Sequence, residues 1–395
     1  MIQDKIKQLA KDFFEEMVAI RRHLHQFPEL SFQEVETGKF ISKKLTEFGI
    51  PHKTGIAGNG ITALIEGKNP GKKTVALRAD MDALPILEAN DVDYKSKNPG
   101  VMHACGHDVH TTSLLGAAKI LNALKSEFEG TVKLIFQPAE EKLPGGASIM
   151  IKEGALKNPK PDSIFGQHVH PPLSAGKVGL RAGKYMASAD EIYVTVKGRG
   201  GHGAMPHECV DPVLIAANIL VQLQQIVSRN ADPTTPTVLT FGKINSEGGN
   251  TNVIPNEVRM EGTFRTMDEN WRKAAHRKMK KMAENIAKSM GGACEFDIVK
   301  GYPFLINEEQ LTQRARQYAV EYLGEKNVVE LPIRMTAEDF AYYSQEMPAC
   351  FYRLGTGNVS KGITSPVHTN TFDVDETCLL PGAGLLAWMA VRELD

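Results

Sequence analysis

Apolar positions recur at helical spacing over residues 4–26, where Ile6, Leu9, Phe13, Phe14, Met17, Ile20 and Leu24 mark one face of an amphipathic helix. A second helical pattern covers 35–48 and stops before Gly49. Short, nearly continuous apolar runs follow at 74–78 (TVALR) and 131–136 (TVKLIF), with a helical pattern over 109–125 between them and a further run starting at 163–166. Strands that lack polar alternation are buried on both faces. Separated by helices, they predict an α/β fold: a mixed, mostly parallel sheet with helices on both faces.

From about residue 187 the rhythm changes. Residues 191–197 (EIYVTVK) alternate with period two, as a half-exposed strand does. Asp211-Pro212 then opens an apolar helix over 213–228, with Asp as cap and Pro at the first helical position. Strand-like runs at 237–245 and 257–265, a polar helix at 268–289 and a strand at 294–299 complete the order β-α-β-β-α-β, an α+β ferredoxin-like unit. Helix 308–323 and strand 350–354 return to the first pattern. The expected division is a catalytic domain of residues 1–186 and 301–395, interrupted by an inserted domain of residues 187–300.

A chain of 395 residues is long enough for two such cores. Forty-six basic against 47 acidic residues leave a formal charge of −1, which gives neither nucleic acid nor a membrane surface anything to hold. No run approaches the ~20 apolar residues of a membrane span, and the N-terminus lacks the apolar segment of a signal peptide. Five scattered cysteines argue against a disulfide framework and for a reducing compartment, so the expectation is a soluble cytoplasmic protein.

Candidate chemistry collects at the ends of the predicted strands. In His103-Ala-Cys-Gly-His-Asp108, a thiolate and an imidazole two residues apart can meet one metal ion if the backbone turns at Gly106. Taken alone, the pair serves equally as a buried thiol beside a capping histidine. Glu140-Glu141 follows strand 131–136, and adjacent residues in extended backbone point opposite ways, so one carboxylate can bind metal while the other faces water. His168 follows the run at 163–166, His368 lies beyond strand 350–354, and Asp80 and Asp82 end strand 74–78. One such residue is a weak signal; several at the ends of separate strands are a much stronger one. His23, His25 and His110 read as packing or capping residues, and the remaining cysteines as buried thiols.

Eight motifs in order along the chain carry a resemblance over essentially its whole length: RRHLHQFPELSFQE, LRADMDALP, MHACGHDVHT, FQPAEE, GRGGHGAMPH, TNVIPNEV, TAEDFAYY and PVHTNTFDVDE. The chain resembles the aminoacylase, glutamate carboxypeptidase and hippurate hydrolase metallopeptidase family. Within it, the similarity is to the amidohydrolase branch of hippurate hydrolases, auxin-conjugate hydrolases and N-acetyl-diaminopimelate deacetylases. The resemblance implies a zinc-peptidase-like catalytic domain, an inserted dimerisation domain and a substrate that is an N-acyl amino acid. It further implies two divalent metal ions, with Cys105 bridging, Glu141 and His368 on one ion, and His107 and His168 on the other. Five protein ligands independently exceed what one tetrahedral zinc uses with room left for water. Zinc or manganese suits the set, and mixed N/O/S ligands also admit cobalt or nickel. Glu140 matches the general base, Asp82 a residue that orients a ligating histidine, and His202 a donor that steadies the oxyanion across a homodimer. Asn252 and Arg265 match positions that hold the substrate carboxylate. The rivals are a dipeptidase or carboxypeptidase on the same metal pair, a catalytically silent metal-binding relative, and Cys105 acting as a nucleophile.

Overall fold

The computed structural model describes residues 1–246, 248 and 250–395. The chain divides into two compact units. One comprises Met1–Tyr185, Ile306–Pro332 and Asp339–Asp395, the other Met186–Leu305 and Ile333–Glu338.

The larger unit is built on an eight-stranded sheet. Its order is His52–Ile56, Gly60–Glu66, Thr131–Gln137, Thr74–Asp80, Ser163–Ser174, Ala349–Gly357, Val178–Leu180 and Val328–Glu330. The four central strands run parallel, whereas the pairings of Gly60–Glu66 with its two neighbours and of Val178–Leu180 with Ala349–Gly357 are antiparallel. Register sets the site. Arg78 sits opposite both Ile135 and Gly166, so Asp80, Gln137 and His168 come out together along the carboxyl edge of the sheet. Strands Thr74–Asp80 and Thr131–Gln137 are buried throughout, including the polar residues Arg78, Asp80 and Gln137.

Helices His107–Ala123 and Leu379–Leu394 pack against each other and are buried on nearly every side. The single helix expected over 4–26 is two, Ile2–Asp12 and Phe14–Gln26, separated at Phe13 (φ −93°, ψ 1°). The break lets one half lie along Leu379–Leu394 and the other along His107–Ala123. Among the described residues no helix is long and apolar enough to cross a membrane.

In the second unit four antiparallel strands lie in the order Thr237–Ser246, Glu257–Thr266, Asp190–Lys197, Ala293–Lys300. Helices Pro212–Gln225 and Glu269–Ser289 pack on the sheet, capped by Asp211 and Asp268 through backbone N–H groups. Ile192, Val194 and Val196 meet Ile215, Ile219, Ala275 and Met279 in its core. Residues 301–305 and 333–338, assigned from sequence to the larger domain, group with this unit instead. Hydrogen bonds tie the latter there: Ala187 N–H donates to the Thr336 carbonyl, and the Arg265 side chain donates through Nη1 to the Met335 carbonyl at 3.1 Å.

Candidate active site

Gly106 turns the chain from the Cys105 loop into helix His107–Ala123 at φ +80°. A Cβ there would lie 2.6 Å from a Val169 methyl, so only glycine permits this turn so close to the strand that carries His168. The result is that Cys105 Sγ lies 3.4 Å from His168 Nε2 and 3.3 Å from His368 Nε2. Two groups of three donors share the thiol: Cys105, His107 and His168, and Cys105, Glu141 and His368. Within each, all donor atoms lie within 4.8 Å of one another. His368 Nε2 is 3.2 Å from Glu141 Oε1.

Each buried ligand candidate presents its outer atom because the inner one is occupied. His168 Nδ1–H donates to the Val169 carbonyl (2.8 Å), leaving the Nε2 lone pair toward the thiol. His107 Nδ1–H donates to Asp82 Oδ1 (3.2 Å), and its Nε2 is buried without a hydrogen bond, while the buried Glu141 Oε1 faces the His368 ring. Orphaned buried polar atoms are costly in a folded protein. Here a metal ion would satisfy them, and the sulfur, imidazole and carboxylate donors are those that divalent transition metals take. Burial, and after it the Glu141 carboxylate, push the Cys105 thiol up, so in the absence of a cation it is a poor nucleophile.

Asp82 is the hub beneath these residues. Besides His107 it accepts from Ser31 Oγ (2.6 Å), Glu140 N–H (3.0 Å) and Glu141 N–H (3.0 Å). Burial alone would raise its pKa, but these bonds hold it below the usual carboxylate range. The turn that delivers Glu140 is strained: Ala139 sits at φ +52°, and its N–H is held by the buried Glu34 carboxylate at 2.8 Å. His368 is also left-handed, at φ +63°. Glu140 is buried, with a carboxylate oxygen within 4.8 Å of the His107 and Glu141 donor atoms.

His110, Asp80 and His107 also lie close together, yet His110 has no nitrogen to spare. Val169 N–H donates to its Nε2 (2.8 Å), so Nδ1 carries the proton and gives it to Asp80 Oδ1 (2.5 Å). It fixes the strand beside His168 rather than binding metal. Ser31, Glu34, His110, Arg78 and Asp339 are the supporting residues that sequence patterns did not single out for the site. The readable signal was charge inside an apolar strand, at Arg78.

His202, Asn252 and Arg265 belong to the second unit. His202 is exposed on the short strand Gly201–His202, paired with Val253–Ile254. Its Nδ1 accepts from Ala204 N–H at 3.0 Å, which leaves Nε2–H as a donor. Asn252 is adjacent, its carbonyl accepting Gly203 N–H, while Arg265 is half-buried on a different strand.

Residues 76–392 match the sequence model of Peptidase family M20/M25/M40. The chain belongs to that family. Its members hydrolyse amide bonds, and this M20/M25/M40 chain is an enzyme of that class. It is 42 % identical over 310 residues to an N-acyl-L-amino acid amidohydrolase of Geobacillus stearothermophilus, covering 78 % of this chain and 83 % of the relative. It is 38 % identical over 392 residues to thermostable carboxypeptidase 2 of Saccharolobus solfataricus, covering 98 % of each. Among solved structures, the Bacillus subtilis YXEP protein, described as a dinuclear metal binding peptidase from the M20 family, superposes with a TM-score of 0.83. That match has 35 % identity over 97 % of this chain and 99 % of that one.

Proposed function

We propose that the protein hydrolyses the amide bond of N-acyl amino acids, using two divalent metal ions and Glu140 as general base. The observation that carries this is the pair of three-donor groups sharing Cys105, with a buried carboxylate beside them that belongs to neither. Cys105 would bridge, with Glu141 and His368 on one ion and His107 and His168 on the other; manganese or zinc fits best, and cobalt or nickel is admitted. When bound, the ions supply an acidified water and a polarised carbonyl. Glu140 takes the proton of the attacking water and returns it to the leaving amine. Asp82 holds His107 and both glutamates' backbone N–H groups in place. His202, through its Nε2–H, is assigned to the developing oxyanion, reaching it across a homodimer formed through the inserted domain. Asn252 and Arg265 are assigned to the substrate carboxylate.

Glu140→Gln keeps the shape of the site and removes the base. Turnover should fall by about 10²–10⁴-fold with metal content unchanged. Wild-type turnover in this variant rejects the assignment. A carboxypeptidase reading has the Saccharolobus relative in its favour. Metal-loaded protein should cleave N-acetyl and N-benzoyl amino acids faster than dipeptides with a free amino terminus; the reverse order selects the peptidase.

A further inference from the structure

Asp339 lies 199 residues from Glu140 in the chain, and its backbone N–H donates to Glu140 Oε1 at 3.3 Å. Its own carboxylate is fully buried and gripped from several directions. Arg78 Nη2 donates to Oδ1 (2.7 Å), Gln137 Nε2 to both oxygens (2.9 and 2.8 Å), and Ala147 N–H to Oδ2 (3.0 Å). Arg78 in turn donates through Nε to Gln137 Oε1 (2.9 Å) and through Nη1 to Asp80 Oδ2 (2.6 Å). Close packing leaves the turn no slack: a Cβ on Gly146 would fall 1.7 Å from the Pro138 carbonyl oxygen. The Asp339 N–H is thus a donor whose position is set by the sheet itself, through Arg78 and Gln137 at adjacent strand ends.

A glutamate side chain has three rotatable bonds, and a base works only within a few tenths of an ångström of its target. Asp82 fixes the backbone of Glu140 by accepting its N–H, and the Asp339 N–H reaches the carboxylate itself. We propose that Asp339 is a positioning residue for this reaction: its immobilised N–H orients the Glu140 carboxylate toward the attacking water. The inference rests on Glu140 being the base. The bond runs to the base and not to a ligand, so its loss should cost turnover without costing metal.

Asp339→Asn tests it. The amide nitrogen must face one of the donors Arg78, Gln137 or Ala147, so the residue shifts and carries its N–H with it. Turnover should fall about 10–100-fold, with KM within about twofold of wild type and metal content unchanged. In a Glu140→Gln background the same substitution should cost less than about threefold, because there is no base left to orient. An equal loss in both backgrounds, a rise in KM with turnover kept, or loss of metal overturns the proposal. If Asp339→Asn does not fold, Gln137→Met removes one donor and its two bonds and keeps the Arg78 ion pair. It should show the same pattern at about fivefold, and unchanged turnover in that variant rejects the idea. Glu140→Gln alone reports on the base, so failure of that reading is seen separately from an additive cycle.

Discussion

Helix His107–Ala123 begins with two adjacent buried side chains in opposite circumstances. His107 spends one nitrogen on Asp82 and leaves the other without a hydrogen bond, facing Asp80 and Glu141 at 3.9 and 4.0 Å. Asp108, one residue on, accepts from Arg21 Nε (2.9 Å), His25 Nδ1 (2.8 Å) and Val109 N–H (3.0 Å). Arg21 reaches Asp373 and Glu376 and lies 4.6 Å from the centre of the Tyr94 ring, while His25 Nε2 contacts Glu88 at 3.2 Å. Burial alone would raise Asp108, yet Arg21 and His25 hold it well below the carboxylate range. Both regions contain buried histidine and carboxylate. In one, Arg21, His25 and Asp108 are all bonded within the protein, so it is architecture; in the other a thiol, imidazoles and a carboxylate converge with His107 Nε2 left unbonded, so it is a site.

Metal removal breaks this comparison most forcefully. Chelation should take turnover to background, and manganese or zinc should restore it. Thermal stability should fall with the metal, by about 4 kcal/mol for an ion held at a thousand times its Kd. Full turnover in metal-free protein would mean that the donor atoms gathered around Cys105 are not a metal site.

Asp108→Asn should give the complementary result. Breaking a fully buried, hydrogen-bonded ion pair costs about 3–5 kcal/mol, read as a shifted denaturant midpoint, while metal content per folded chain stays at the wild-type level. A variant of unchanged stability that lost its metal would merge the two regions into one.

How much of this is visible in the chain follows from the same distinction. Strands Thr74–Asp80 and Thr131–Gln137 announce themselves because burial on both faces demands apolar runs, and motif spacing marks the donor residues at their ends. Strand direction is not encoded in that pattern, so the antiparallel pairings on either side of the parallel centre were not legible. Nor was the break at Phe13, which leaves the apolar stripe unchanged. The supporting residues hide for another reason. Asp339 matters through Arg78, 261 residues away, and Glu34 through Ala139, 105 residues away, and no local periodicity records a partner at that separation. The left-handed backbone at Ala139 is equally silent, since alanine does not favour it. Strain of that kind is sustained by tertiary contacts and appears only once they are drawn.

Glu34 lies between the two cases and yields the smallest effect. Its carboxylate is buried like that of Asp108 but is met by neutral donors only, Ala139 N–H and Asn59 Nδ2. Burial, and with it the Asp82 charge, push it up to about 7 from an ordinary 4.5. Between those values the folded chain keeps the proton and the unfolded chain does not. The stability it contributes is therefore full below pH 4.5 and lost as pH rises through about 7. Glu34→Gln retains an acceptor for Ala139 and removes the titration. In metal-free protein the variant should gain about 1–2 kcal/mol on wild type between pH 5 and pH 8, less than the full 1.4 kcal/mol per pKa unit because the site relaxes toward water on ionising. Denaturant unfolding at several pH values measures it. Parallel profiles for the two proteins would show that Glu34 is ionised throughout and that the turn before Glu140 carries a charge the surrounding donors already satisfy.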